Sequence, residues 1–234
     1  MGRVGTLSAV AGSIAEIWRY PVKSMAGERL ESARLTETGL EGDRRWAFVD
    51  GTPNRAGKLF TNTQDPRLMR YGARLTGDRV EVVTRAGETR SLDDRFVAEL
   101  AEEVSRPLTL RDQAGINFDD SHLLVVNLAT VAAFALEAGI PIDRRRFRAN
   151  LYVDGLESEE EAGWLDRRIR AGSAVLDVVK RCERCVVITR DPETTISTPE
   201  LLRVLTQTSE TCMGVYCQVV TPGDVAIGEL IGPE

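Results

Sequence analysis

The chain has 234 residues, 42% of them hydrophobic and 28% charged, with a formal net charge of −6. This is the balance of an ordinary globular protein: it excludes a disordered chain, and no apolar run reaches the roughly 20 residues of a membrane-spanning helix. The acidic excess argues against a general nucleic-acid binder, although arginines gather in RRRFR, residues 144–148, where a small anion could be held.

The first residues, MGRVGTLSAVAGS, are too weakly apolar and too broken by Gly5 and Gly12 for a secretory signal, so the expectation is a flexible tail over 1–12 on a cytoplasmic protein. From Ser13 to about Leu110, runs such as SIAEIWRYPV, RRWAFVD and DRVEVVTRAG alternate with Gly, Pro, Asn and Asp, the pattern of antiparallel strands. One helix interrupts them in SLDDRFVAELAEEVS. Ser91 is its expected cap, Asp94 stands at the capping-box position, and Phe96, Leu100 and Val104 recur at helical spacing.

A second helix is predicted in NLATVAAFALEAGIP. Asn127 caps it, Leu128, Val131, Ala132, Ala135 and Leu136 form its apolar stripe, and Gly139 and Pro141 end it. Strands follow in RANLYVDG and SAVLDVVKRCERCVVITRD, then a helix in STPELLRVLTQ after Thr198, then a closing strand pair in VYCQVVTPGDVAIGELIG. The sum predicts a β-dominated α+β fold in two domains, 13–115 and 116–234.

Four cysteines, at 182, 185, 212 and 217, stand in a chain without an export signal, so they read as free thiols or ligands and not as a disulfide framework. Their C-x2-C and C-x4-C spacing is that of a four-thiolate zinc or iron–sulfur site. Cys182 and Cys185, however, lie in what reads as strand, where residues three apart face opposite ways; only a tight turn would bring them together. A dithiol redox pair wants its first cysteine at a helix N-terminus, and nothing after Cys182 reads as helical. Two buried thiols acting as small hydrophobes are the plainest alternative. Against it stand Lys180, Arg181 and Arg184, cations that favour thiolate, the state that ligates soft metals. The residues alone leave these alternatives open. Elsewhere, Arg144, Arg145 and Arg146 read as a solvated turn, and His122 is given no role. Thr130, on the first turn of the second helix, can donate to a phosphate at the positive helix end or serve the helix's own cap.

Taken with RYPVKS (19–24), GLEGDRRW (39–46), FRANLYVDG (147–155), DPETT (191–195) and MGVY (213–216), RCERC (181–185) falls in an order that resembles the MOSC family. That family combines a MOSC N-terminal β-barrel with a MOSC β-barrel domain carrying peripheral helices, and the resemblance runs from about Ser13 to Ile231. It implies binding of the molybdenum cofactor, a pterin whose dithiolene holds molybdenum and whose tail ends in phosphate; protein made in a heterologous host often lacks it. Cys185 is then the metal ligand and a catalytic residue, with Cys182 a bystander. Cofactor contacts are implied for Lys23, Ser24 and Arg44 from the first domain and for Arg148 and Asn150 from the second, with Thr130 joining at the phosphate. Tyr216 is implied as a second catalytic residue near the metal. Arg45 points outward if Arg44 points in.

By likeness to the amidoxime-reducing components, the implied activity is reduction of N-hydroxylated or N-oxide compounds by oxygen-atom removal at molybdenum. The implied partners are a small N-oxygenated substrate and, with no ferredoxin-like extension after Ile231, a separate electron-transfer protein; neither nucleic acid nor a membrane is expected. The same resemblance allows a cofactor or sulfur carrier without turnover, and brings a family-level association with pyridoxal phosphate. A structural zinc protein using all four cysteines is the alternative outside the family. Ala149, Met213 and Val215 depart from the family's FRPN and FGQY patterns, so a loosened turn and altered substrate-side contacts are expected.

Overall fold

The computed structural model describes residues 10–234, so most of the expected tail, residues 1–9, lies outside the described residues. The first half runs through β1 (Gly12–Arg19), β2 (Glu28–Leu30), β3 (Ser32–Thr36), β4 (Gly39–Leu40), β5 (Trp46–Asp50), β6 (Leu59–Phe60), β7 (Gly72–Thr76), β8 (Arg79–Val83), β9 (Thr89–Ser91), helix α1 (Asp94–Glu103) and β10 (Leu108–Asp112). The second half adds β11 (Leu123–Asn127), helix α2 (Leu128–Ala138), β12 (Leu151–Asp154), β13 (Arg168–Ala171), β14 (Ala174–Glu183), helix α3 (Glu200–Ser209), β15 (Cys212–Thr221), β16 (Gly223–Ala226) and β17 (Leu230–Pro233). The fold is β-dominated with peripheral helices. Among the described residues no helix is long and apolar enough to cross a membrane.

Seven strands close into a barrel in the order β12-β11-β15-β14-β13-β17-β1, with β1 pairing back onto β12. Ile14 and Ile17, three apart on β1, both bury in its interior. A regular strand would send them to opposite faces; a register shift between Ile14 and Glu16 re-aims the second. On β11 all five residues are buried. Leu123 and Val125 enter the barrel interior, while Leu124 and Val126 face a second core under the helices, with Phe134, Leu201 and Leu205. A strand covered on both faces reads as continuous hydrophobics, which is why LLVVN shows no alternation. A third core, around Phe48, Phe60, Val82 and Phe96, belongs to a smaller β-rich unit built from β5–β10 and α1.

The expected division at 115/116 is not the division of the sheets. β1 hydrogen-bonds to β12 and β17, β2 extends the sheet from β1, and β3 pairs with β16 and β4, so residues 12–40 contribute four strands to the C-terminal body. Gly12, counted with the tail, is the first residue of β1 and faces Ile231.

Helix α2 begins and ends where predicted: the Asn127 side chain accepts from Ala129 N–H, and Gly139 closes the helix in the left-handed conformation. Helix α1 does not use Ser91. The chain there is still extended in β9, Leu92 N–H bonds to Val80 O, and the cap is Asp93, which accepts from Phe96 N–H. The strand expected to run through RCERCVVITRD stops at Glu183, and Val186–Thr189 form a 3-10 turn headed by Cys185. The closing segments do not pair with each other: β15 lies between β11 and β14, β16 joins β3, and β17 joins β13 and β1.

Candidate functional site

Two loops of the first half are zipped together before they reach the site. Lys23 N–H bonds to Trp46 O, Arg44 N–H to Tyr20 O, and Trp46 N–H to Pro21 O. Lys23 and Arg44 therefore arrive side by side, facing the turn Arg144–Phe147, β12 and the end of β14. The resulting cleft, of about 370 Å³, is lined by Lys23, Ser24 and Arg44 from one side and by Arg148, Asn150, Cys185 and Tyr216 from the other. Seven of the eight residues singled out in the sequence thus converge.

Thr130 does not join them. Its hydroxyl donates to the Glu161 carboxylate at 3.1 Å and accepts from Glu159 N–H at 2.8 Å. The anion that the positive end of α2 attracts is supplied by the chain's own Glu161.

The side chains divide by what they still have to offer. Asn150 is largely committed to the protein: Oδ1 accepts from Leu124 N–H and Arg44 Nη1, and Nδ2 donates to Trp18 O, which leaves one amide hydrogen. It positions Arg44. Lys23 Nζ donates to Asn117 O at 2.6 Å and to Asp119 Oδ1 at 2.8 Å, which leaves one ammonium hydrogen. Burial pulls its pKa below the ordinary lysine range, against the opposing pull of Asp119. Arg148 makes one hydrogen bond, from Nη1 to Met25 O at 2.7 Å. Burial, with the neighbouring Arg44 cation reinforcing it, brings Arg148 down to about 10. The Ser24 hydroxyl has no partner among the described residues' hydrogen bonds and lines the cleft. Ser24, Arg44 and Arg148 all hold positive φ, at 73°, 49° and 54°. Left-handed backbone at three non-glycine residues of one cleft is the kind of strain that clusters where ligands are gripped.

Arg45 faces outward as expected, paired with Asp112 and lying over the Trp46 ring. The cause is the left-handed turn at Arg44 and not strand alternation.

Cys182 and Cys185 are as unequal as expected, but not in the expected way. Cys185 is exposed at the head of the 3-10 turn. Cys182, 1% exposed, also lines the cleft, and Arg184 Nη1 donates to its sulfur at 2.9 Å. The cation of RCERC therefore touches Cys182, the cysteine expected to have no role. Burial, and next the Cys182 sulfur, raise the pKa of the Tyr216 phenol, over whose ring Lys180 Nζ lies at 5.8 Å. Arg181 turns away to Ser209 O and Glu210. The four-thiolate arrangement does not form. Cys217 lies inside the barrel, its pKa pushed up to about 12 by burial, whereas Cys182 belongs to the core under the helices. Among the described residues no three His, Cys, Asp or Glu side chains gather as a metal site.

Sequence reading missed three contributors. Arg146, taken as solvated, is buried in the cleft wall; it donates to Thr189 O and Asp191, and its Nε has no partner. DPETT, whose Asp191 is that partner, carried the signal. Asn117 ties Arg44 O, Arg45 O and Gln113 O through Nδ2, fixing the loop that aims Arg44. Arg184 was seen only as local charge. With them the lining holds six cations, Lys23, Arg44, Arg146, Arg148, Lys180 and Arg184, against three carboxylates, Asp119, Asp120 and Glu183. Four of these cations are paired with carboxylates, Lys23 with Asp119, Arg44 with Asp43, Arg146 with Asp191 and Lys180 with Asp120, which leaves Arg148 and Arg184 without a carboxylate partner among the described residues.

This donor set fits a phosphate-bearing pterin with a soft metal. Arg148 and the Ser24 hydroxyl have hydrogen-bonding capacity that the protein leaves unused, and Cys185 offers a sulfur at the same cleft.

Comparison with known proteins bears on the family and the fold. The family model of the MOSC N-terminal beta barrel domain matches residues 11–128, and that of the MOSC domain matches 111–231. Human mitochondrial amidoxime-reducing component 1 is 24% identical, the match covering 93% of this chain and 82% of that protein. Molybdenum cofactor sulfurase of Oryza sativa subsp. japonica is 27% identical over 72% of this chain, and this chain covers 27% of the sulfurase's length. The solved YUAD protein from Bacillus subtilis shares the fold, with a TM-score of 0.55 at 16% identity over 96% of both chains. With both family models matching in register, each over half of its length, the chain belongs to the MOSC family.

Proposed function

We propose that this protein holds the molybdenum cofactor and acts as an oxidoreductase that removes oxygen from N-hydroxylated or N-oxide compounds. The observation that carries the reading is the exposed Cys185 thiol at a cleft whose remaining donors are cationic side chains from both halves of the chain. When bound, the cofactor supplies a two-electron metal centre able to accept an oxygen atom. Cys185 contributes a soft thiolate ligand to that metal. Arg148 and Arg44, with Ser24 and the free hydrogen of Lys23, hold the anionic tail; a guanidinium grips phosphate in a fork. Tyr216 lines the same cleft, and its phenol, protonated at neutral pH like any tyrosine, is pushed further from ionisation by burial. It can therefore donate to a substrate oxygen as the N–O bond lengthens. The electrons come from a separate protein.

Metal analysis of protein made in a cofactor-competent host tests the first half of the reading, with about one molybdenum per chain expected. Cys185→Ser should abolish molybdenum retention. Cys182→Ser keeps an acceptor for Arg184 and should spare retention. If the two variants behave alike, or if stoichiometric zinc replaces molybdenum, the assignment of Cys185 fails. Reduction of N-hydroxybenzamidine with an artificial electron donor tests the second half; loaded protein without turnover would instead be a cofactor carrier.

A further inference from the structure

A second cleft, of about 400 Å³, shares only Arg148 with the first. One wall is aromatic. Trp18 and Tyr20, two apart at the end of β1, lie nearly parallel, with an interplanar angle of 20° and ring centroids 6.5 Å apart. Tyr20 lies flat because residue 27 is glycine: a Cβ there would meet the tyrosine ring at 2.6 Å. Ala26, Gly27, Gly72 and Ala73 line the cleft with no side chain larger than a methyl group. A flat ligand can lie close to the backbone there.

The rest of the lining is cationic. Five arginines, 70, 74, 85, 145 and 148, stand against one carboxylate, Glu193. Two of the five are already paired, Arg85 with Glu103 and Arg145 with Asp143 and Glu193. Arg70 and Arg74 make no side-chain hydrogen bond or ion pair among the described residues, and Arg148 makes one. The volume lies within the range of small-molecule sites. A face for a ring beside unspent guanidinium forks calls for a ligand that is both planar and anionic.

We infer that this cleft binds a planar heteroaromatic monophosphate of nucleotide size, with its ring over the Trp18 side and its phosphate on Arg70 and Arg74. The inference is independent of the cofactor reading, because no residue of this cleft except Arg148 belongs to the first.

Adenosine 5′-monophosphate is the probe, with adenosine and inorganic phosphate as separate arms, followed by intrinsic tryptophan fluorescence and by calorimetry. Trp46 and Trp164 are buried in the cores, so quenching reports on Trp18. The monophosphate should quench and should bind at least tenfold more tightly than either fragment. Arg70→Ala with Arg74→Ala, both exposed positions, should weaken it by roughly tenfold or more, the scale of one lost charge-assisted hydrogen bond. Arg74→Ala alone, the milder change, should give an intermediate loss. Lys180→Ala, in the first cleft only, should bind as wild type. The inference fails if millimolar monophosphate does not bind, if inorganic phosphate binds as well, if the arginine variants bind as wild type, or if Lys180→Ala loses as much.

Discussion

Ser24 sits at φ 73° with a hydroxyl that the protein does not use, next to a lysine that the protein uses almost completely. A serine pays for left-handed backbone where glycine would not, and its unused hydroxyl is what it has to offer there in return. Ser24→Gly separates the two roles. Relief of strain and the larger entropy loss of glycine nearly cancel, so the urea midpoint should move by no more than about 1 kcal/mol in stability. Molybdenum retention should fall, by roughly the tenfold that one hydrogen bond to a charged group carries. A drop in stability of several times that size, with retention unchanged, would show that the hydroxyl serves the fold. Asn150 belongs at the same scale but on the other side of the account: all its contacts are to the protein, and it acts on the site by holding Arg44.

At the scale of elements, the site depends on where strands stop being regular. β14 and β15 pair over Val175–Glu183 with three register shifts, and these bring Cys182 to the face under the helices while Leu176 and Val178 stay in the barrel. Gly214, one residue after Met213 on β15, has φ 79°, and a Cβ there would come within 2.5 Å of Val125 O and 2.6 Å of Val126 Cγ2. It sets the approach of β15 to β11 that carries Tyr216 into the cleft. Gly214→Ala should therefore cost more than the roughly 1–3 kcal/mol of backbone strain alone. Thermal unfolding should read this as a lower Tm, and the Tyr216 ring should lose its fixed environment in near-ultraviolet circular dichroism. An unchanged Tm would mean that β11 yields freely at this point.

At the scale of the molecule, β1 closes the barrel by pairing with β12 on one side and β17 on the other. Its residues Ile14 and Ile17 fill the barrel interior, and each fully buried aliphatic side chain contributes about 1.5–3 kcal/mol. A fragment beginning at residue 116 lacks that strand, the partner strand β3 of β16, and Leu35 and Leu40 of the same core. Such a fragment should not unfold cooperatively, while the full chain should melt in one transition whose midpoint agrees between fluorescence and circular dichroism. A fragment 116–234 with a sharp transition of its own would show that the barrel closes without β1. Cofactor binding in the cleft, which draws residues from both halves, should raise the single transition as a whole.

What the sequence by itself determined is what local chemistry decides. Asn127 and Gly139 specified the ends of α2, because caps act within one turn; the apolar stripe did not specify its inner face, which is Thr130, Val131 and Phe134, while Ala132 and Leu136 of that stripe are exposed. The order of short motifs specified the family and seven members of one cleft. What only the tertiary structure decided is what depends on pairing between distant segments. The closing strand of the barrel comes from the first residues of the chain, Thr130 is claimed by Glu161 from 31 positions away, and Arg184 finds Cys182 where β14 ends at Glu183 instead of running on to Asp191. Hydrogen-bond partners across a sheet leave no periodic trace in either strand alone, so the cleft's composition could be read from the chain and its wiring could not.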